Sequence, residues 1–187
     1  MENRSLYIVL TRTNTFISRL IHVLKNDEYT HAAIALDREL EYMYSFGRKY
    51  ALNPFLGGFK REEINKGLYK LYRNVPCLII EVQVTAQQHK KAQALLSHFI
   101  ANRYLYKYNY MGLFYGFFQK TVCRDHRFLC SEFVYYVLKE SGIVDFRISR
   151  NLVRPQNLLE VKGEIIYKGN LNDLRPKFTS YSSFQHS

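Results

Sequence analysis

Apolar residues in this chain recur in two rhythms, and the alternation between them confines it to a mixed α+β fold. "SLYIVLT" (5–11) is short, β-branched and aromatic, and reads as a buried strand. "TRTN" then offers capping side chains to "TFISRLIHVLKN" (15–26), where Phe16, Ile17, Leu20, Ile21 and Leu24 return at helical spacing. His22 falls between those apolar positions, as an exposed or edge residue would. "THAAIALD" (30–37) and "LEYMYSF" (40–46) are strands joined by a turn around "DRE", and so predict a hairpin. "GRKYALNPFLGGFKREEINKG" (47–67) reads as a loop, punctuated by Pro54 and the Gly57–Gly58 pair, and "LYKLYRN" is ambiguous.

"CLIIEVQVT" (77–85) is a strand that runs into a helix, "AQQHKKAQALLSHFIANR" (86–103), with Ala92, Leu95, Leu96 and Phe99 on its apolar stripe. "YLYKYNYMGLFYGFFQK" (104–120) is rich in Tyr and Phe around two glycines, and suits a core cover or a groove wall. "RFLCSEFVYYVLKESGI" (127–143) is a second strong helix, buried through Phe133, Val134, Val137 and Leu138 and stopped by Gly142. A Pro-marked loop with one helical turn (151–161) and a last strand, "GEIIYKGNL" (163–171), complete the pattern. The order predicts a single α+β domain over 1–175 with an antiparallel sheet, and a frayed tail over 176–187.

No window supplies the ~18 apolar residues of a membrane span, and the N-terminal apolar run is a strand rather than a signal peptide. Three cysteines, Cys77, Cys123 and Cys130, with no C-x-x-C pair, give neither a disulfide framework nor structural zinc. A reduced, cytoplasmic protein without metal or cofactor is the expectation. The charge of +11, from 27 Lys+Arg against 16 Asp+Glu, favours anionic partners. Its scatter along the chain argues for a generally basic surface and against a dedicated nucleic-acid face.

Cys130 sits where a helix should begin, so the unpaired N–H groups and the positive helix end would favour its thiolate over a thiol of ordinary pKa ~8.5. Ser131 and Glu132 fall in the first turn, where their oxygens can meet free backbone donors. A cysteine at a helix start paired in space with a histidine on a strand, here His31, is a thiol nucleophile with its base. The plain alternative is a small buried cysteine and a structural histidine. Cys77 reads as core filler, and Cys123, Asp125 and His126 in "TVCRDHRF" lack the spacing of a zinc motif.

"THAAIALD", followed by a second strand and much later by "FLCSEFV", resembles the circularly permuted, YiiX-like branch of the NlpC-type papain-like cysteine hydrolases, in which the histidine strand precedes the cysteine helix. The likeness runs from about residue 5 to 170. It implies a permuted papain-like fold with the nucleophile helix packed on the sheet. It also implies a thiol-dependent amidase, peptidase or thioesterase working through an acyl-enzyme on Cys130 with His31 as base. The residue that orients the histidine is, in such proteins, polar and on the next strand. Glu41 is the carboxylate available there, with Tyr44 and Ser45 in competition according to hairpin register. The Cys130 N–H would serve the oxyanion, Tyr108 would assist, and Ser131 and Glu132 would support the helix start. The implied substrate is a small molecule, a peptide or a lipid-like compound. The rival expectation is a non-catalytic lipid- or peptide-binding domain on the same fold; a basic nucleic-acid binder is a third.

Overall fold

In a computed structural model that describes residues 4–12, 27–48, 57–64, 66–111, 121 and 123–174, eight strands form one sheet. They are β1 (Arg4–Thr11), β2 (His31–Ala35), β3 (Met43–Arg48), β4 (Gly57–Glu62), β5 (Pro76–Val84), β6 (Lys107–Tyr108), β7 (Arg127–Phe128) and β8 (Glu164–Asn170). Their spatial order is β7-β6-β4-β3-β2-β1-β5-β8. All neighbours run antiparallel except the two-residue pair β6–β7. Among the described residues three α-helices accompany the sheet: α1 (Gly67–Leu71), α2 (Ala86–Ala101) and α3 (Cys130–Glu140), with short 3-10 turns at Arg150–Leu152, Pro155–Glu160 and Leu171–Leu174. The mixed α+β class and antiparallel sheet expected from the sequence are present. The expected helix over 15–26, His22 and the tail lie outside the described residues. Among the described residues no helix is long and apolar enough to cross a membrane.

Side chains alternate along a strand, so the unbroken apolar run of β1 feeds both faces of the sheet. Leu6, Ile8 and Leu10 join one cluster, with Ile34, Phe46, Phe59, Ala92, Leu96, Phe99 and Phe133. Tyr7 and Val9 join the other, with Ala33, Ala35, Met43, Tyr69, Cys77 and Leu171. The first cluster is where α2 and α3 dock. Its centre is aromatic: the Phe46 ring lies 5.2 Å from both Phe128 and Phe133, and Phe99 lies 5.0 Å from Phe133. Each such ring contributes on the order of 1.5–3 kcal/mol by burial. Phe128 and Phe133 flank Cys130 in the chain, so this packing fixes the start of α3 against β3.

Two local rules govern the helix ends. Thr85 caps α2, its hydroxyl accepting from the Gln88 N–H at 3.2 Å while Gln88 Oε1 accepts from the Thr85 N–H at 2.9 Å. Gly142, at φ 72°, closes α3, with the Ile143 N–H reaching back to the Leu138 carbonyl at 2.9 Å.

The loop expected across 47–67 is a loop only in part. Gly57–Glu62 is β4, paired with β3 from Met43↔Glu62 to Arg48↔Gly57. Gly57 suits this strand because β6 approaches it closely. A Cβ there would meet Tyr108 Cβ at 2.8 Å and the Gly47 carbonyl at 3.0 Å. The ambiguous "LYKLYRN" contributes to α1.

The β2–β3 connection also departs from expectation. The strands pair as Ile34↔Tyr44 and Ala35↔Met43, and not in the register of a tight turn at Asp37–Arg38. The cause is the Asp37 carboxylate, which accepts from the Glu41 N–H at 2.6 Å and the Tyr42 N–H at 2.9 Å. That organises a wide turn with Leu40 at φ 59°. Extending the register past Ile34 sets Gly47, not Tyr44 or Ser45, opposite His31. A Cβ on Gly47 would stand 3.7 Å from His31 Cε1.

Candidate active site

Cys130 is the first residue of α3 and is buried. The helix start is fastened on several sides. The Glu132 carboxylate accepts from the Leu129 N–H at 3.1 Å, from Arg150 Nε at 2.9 Å and from Asn109 Nδ2 at 3.4 Å. The Ser131 hydroxyl donates to the Val153 carbonyl at 2.6 Å. Burial pushes the Glu132 carboxyl up, against the Leu129 N–H and Arg150, which favour its charge. Arg150 also covers the Phe128 ring at 4.7 Å. The supporting roles expected of Ser131 and Glu132 thus have specific partners.

His31 opens β2 with its side chain 19% exposed, so solvent reaches the ring. Its Nε2 lies 3.0 and 3.2 Å from the two oxygens of Glu62. The Glu62 contact engages Nε2, and His31 and Cys130 lie close enough for each to shift the other's ionisation. Glu62 ends β4 with its side chain 3% exposed. Oε1 also accepts from the Ser45 hydroxyl at 2.7 Å and pairs with Lys60 Nζ at 3.0 Å, while Oε2 accepts from the Tyr69 hydroxyl at 2.7 Å. Three adjacent strands and α1 therefore converge on one buried carboxylate.

The electrostatics follow from these contacts. Burial opposes ionisation of Glu62, but Lys60, His31 and the Ser45 hydroxyl outweigh it and hold the carboxyl well below its ordinary value. Burial likewise opposes a charged His31. The Glu62 carboxylate and the Cys130 sulfur overcome that and push the imidazole up to about 10. For Cys130, burial favours the thiol, yet the His31 hydrogen bond and charge, with the Ala32 and Ser131 N–H groups, bring its pKa below the ordinary thiol value. Tyr69 is held well above the ordinary phenol value by burial and by Glu62, so it remains a donor. These shifts move Cys130 toward thiolate and His31 toward imidazolium, beside an ionised Glu62.

Cys130 and His31 are brought together. Glu41 is not beside them: it lies exposed in the wide turn, where its carbonyl accepts from Arg61 Nε at 2.8 Å. Tyr44 faces the aromatic core, stacked on Phe59 at 5.7 Å. Ser45 reaches the site through Glu62 rather than through His31. Tyr108 is half-buried in β6 beside Phe128, its ring 4.8 Å from Tyr110. Its neighbour Asn109 reaches the first turn of α3 through Glu132. Cys77 is buried core, its thiol pushed up to about 12 by burial. Cys123 is exposed, 3.3 Å from the Ser149 hydroxyl. Sequence reasoning missed Glu62, Lys60 and Tyr69. The available signal was alternation in "GGFKRE": Phe59 faces the core, which turns Lys60 and Glu62 to the opposite side.

Against this geometry, no protein-family model matches the chain, and neither curated proteins nor solved structures give a significant match.

Proposed function

We propose that the chain is a thiol-dependent hydrolase of amide, peptide or thioester bonds on a permuted papain-like fold, with Cys130 as nucleophile, His31 as base and acid, and Glu62 as the group orienting the histidine. The observation that carries this reading is one buried carboxylate, Glu62, holding at 3.0 and 3.2 Å the imidazole that draws the Cys130 thiol toward its charged form at the start of α3. The resemblance to YiiX-like enzymes supports it in chain order, with the histidine strand ahead of the cysteine helix.

The Cys130 thiolate attacks the substrate carbonyl carbon, and the carbonyl electrons move to oxygen. First-turn N–H groups of α3, that of Cys130 among them, are suited to receive the oxyanion. As the tetrahedral species collapses, His31 passes its proton to the departing amine or thiolate, leaving an acyl-enzyme. His31, now neutral, takes a proton from water, whose oxygen attacks the thioester. Collapse then frees the acid and restores the ion pair. Glu62 stays ionised throughout, fixing the tautomer and favouring each imidazolium state, which is the part a third residue plays in such relays.

The rival of a binding domain that kept the fold drew on the lack of an obvious third residue, and Glu62 takes away that support. The test is labelling with a thiol-reactive amide probe, followed by peptide mapping and turnover on a panel of acyl amides and thioesters. Cys130 is expected to react faster than Cys77 and Cys123, with Cys130→Ala abolishing turnover. Equal labelling of the three thiols, with turnover intact in Cys130→Ala, would overturn the proposal.

A further inference from the structure

From Val82 to Arg124 the chain contains no Asp or Glu, yet it carries Lys90, Lys91, Arg103, Lys107, Lys120 and Arg124. Most of the described part of this stretch is α2 and the turn after it. Ala92, Leu96 and Phe99 bury one side of α2 against the sheet. Lys90 and Lys91 are exposed, as are Arg103 and Lys107 beyond its end. At that end, large apolar side chains meet solvent: Ile100 is 40% exposed, Tyr104 74% and Leu105 59%. Arg103 lies over the Tyr104 ring at 4.9 Å and donates to its hydroxyl at 2.8 Å, so a cation and an aromatic form one unit.

We propose that the outer side of α2 and the turn at residues 102–105 form a docking surface for an anionic lipid bilayer, with Ile100, Tyr104 and Leu105 entering the headgroup layer and Lys90, Lys91, Arg103 and Lys107 meeting lipid phosphates. Cations beside exposed aromatic and aliphatic side chains are what an interfacial membrane element requires, since each class of residue supplies one of its two attractions. A second copy of this chain is a poor occupant, because both copies carry the same excess of positive charge. Nucleic acid would use the cations but gives Ile100 and Leu105 no apolar layer to enter. The surface also adjoins the candidate site. Lys107 pairs with Arg127, and Cys130 follows Arg127 by three residues, at most about 10 Å of chain. Docking stands independently of whether Cys130 is catalytic.

The chain has no tryptophan, so Tyr104→Trp installs a unique fluorophore at the tip, and Tyr42→Trp, at a 50% exposed position in the β2–β3 turn, serves as control. Both full-length variants are mixed with vesicles of phosphatidylcholine alone or with added phosphatidylserine, at low and high salt, and sedimentation is read in parallel. The expected result is a blue shift and quenching by brominated lipid for Tyr104→Trp but not for Tyr42→Trp, only on serine-containing vesicles and weakened by salt. Lys90→Glu with Lys91→Glu should reduce binding at least about fivefold per position, and Leu105→Ser should reduce the shift. Equal sedimentation with neutral vesicles, an unshifted Tyr104→Trp emission, or tight salt-sensitive binding to RNA with no lipid response would each overturn the proposal.

Discussion

Glu62→Gln keeps the shape of the residue beside His31 and removes only its charge. In the native protein the carboxylate stands 3.0 and 3.2 Å from His31 Nε2. Opposite unit charges about 4 Å apart in a partly buried site interact by about 4 kcal/mol, and a neutral amide retains only an ordinary hydrogen bond. At about 1.4 kcal/mol per pKa unit, His31 should fall by about 2–3 units from its value near 10. The sign is fixed by the pair: a less basic imidazole holds less of the thiolate, so the reactive form of Cys130 retreats at neutral pH. Lys60, left 3.0 Å from an amide in place of a carboxylate, works in the same direction. The assay is the rate of Cys130 alkylation by iodoacetamide from pH 4 to 11, with tyrosine circular dichroism as a check on folding. Rates at neutral pH should drop about 10- to 100-fold, and the limb belonging to the imidazolium should move acidward. An unchanged profile in folded Glu62→Gln would refute the assignment of Glu62 as the residue that holds His31.

In the unmodified protein, Cys130 alkylation should stay fast below the ordinary thiol range, where Cys77 is unreactive. Turnover should lose its acid limb as the thiolate is protonated and its alkaline limb as His31 loses its proton near pH 10, which a pH–rate profile would report. Lys60→Met removes a cation that competes with His31 for Glu62 Oε1, so the alkaline limb should move to higher pH; a move to lower pH would contradict that account. Arg150→Met strands the buried Glu132 carboxylate and should cost about 3–5 kcal/mol by urea denaturation, with much of the loss recovered when Glu132→Leu is added. Gly57→Ala drives a Cβ to 2.8 Å from Tyr108 Cβ and should destabilise by about 1–3 kcal/mol in thermal melts.

Cys130 and His31 were legible as a candidate pair because each sits at an element boundary that the sequence announces. "RFLC" changes to helical spacing at Cys130, and "YTH" turns into an apolar strand at His31. The third member was not legible, because its position depends on pairing between segments distant in sequence. Glu62 lies in the charged run "KREEINK", which reads as a solvated surface until β4 is laid beside β3. The two glycines at its head look like loop punctuation, although at Gly57 the missing side chain lets β6 approach. Glu41 lost its place for a related reason. Asp37 builds a wide turn from its own carboxylate, and the register it imposes puts Gly47 opposite His31. Buried apolar positions were easier: Phe133, Val134, Val137 and Leu138 face the core as their spacing demands, whereas the partners of Glu132 and Ser131 required the chain to return at residues 150–153.

The most direct measurement is the ultraviolet thiolate absorbance of Cys130 titrated from pH 3 to 11 as a difference against Cys130→Ser, repeated on His31→Ala. A thiolate that persists below the ordinary thiol range in the native chain and retreats into that range in His31→Ala is the predicted result. A Cys130 that ionises like a free thiol in both proteins would contradict the ion pair on which the mechanism depends.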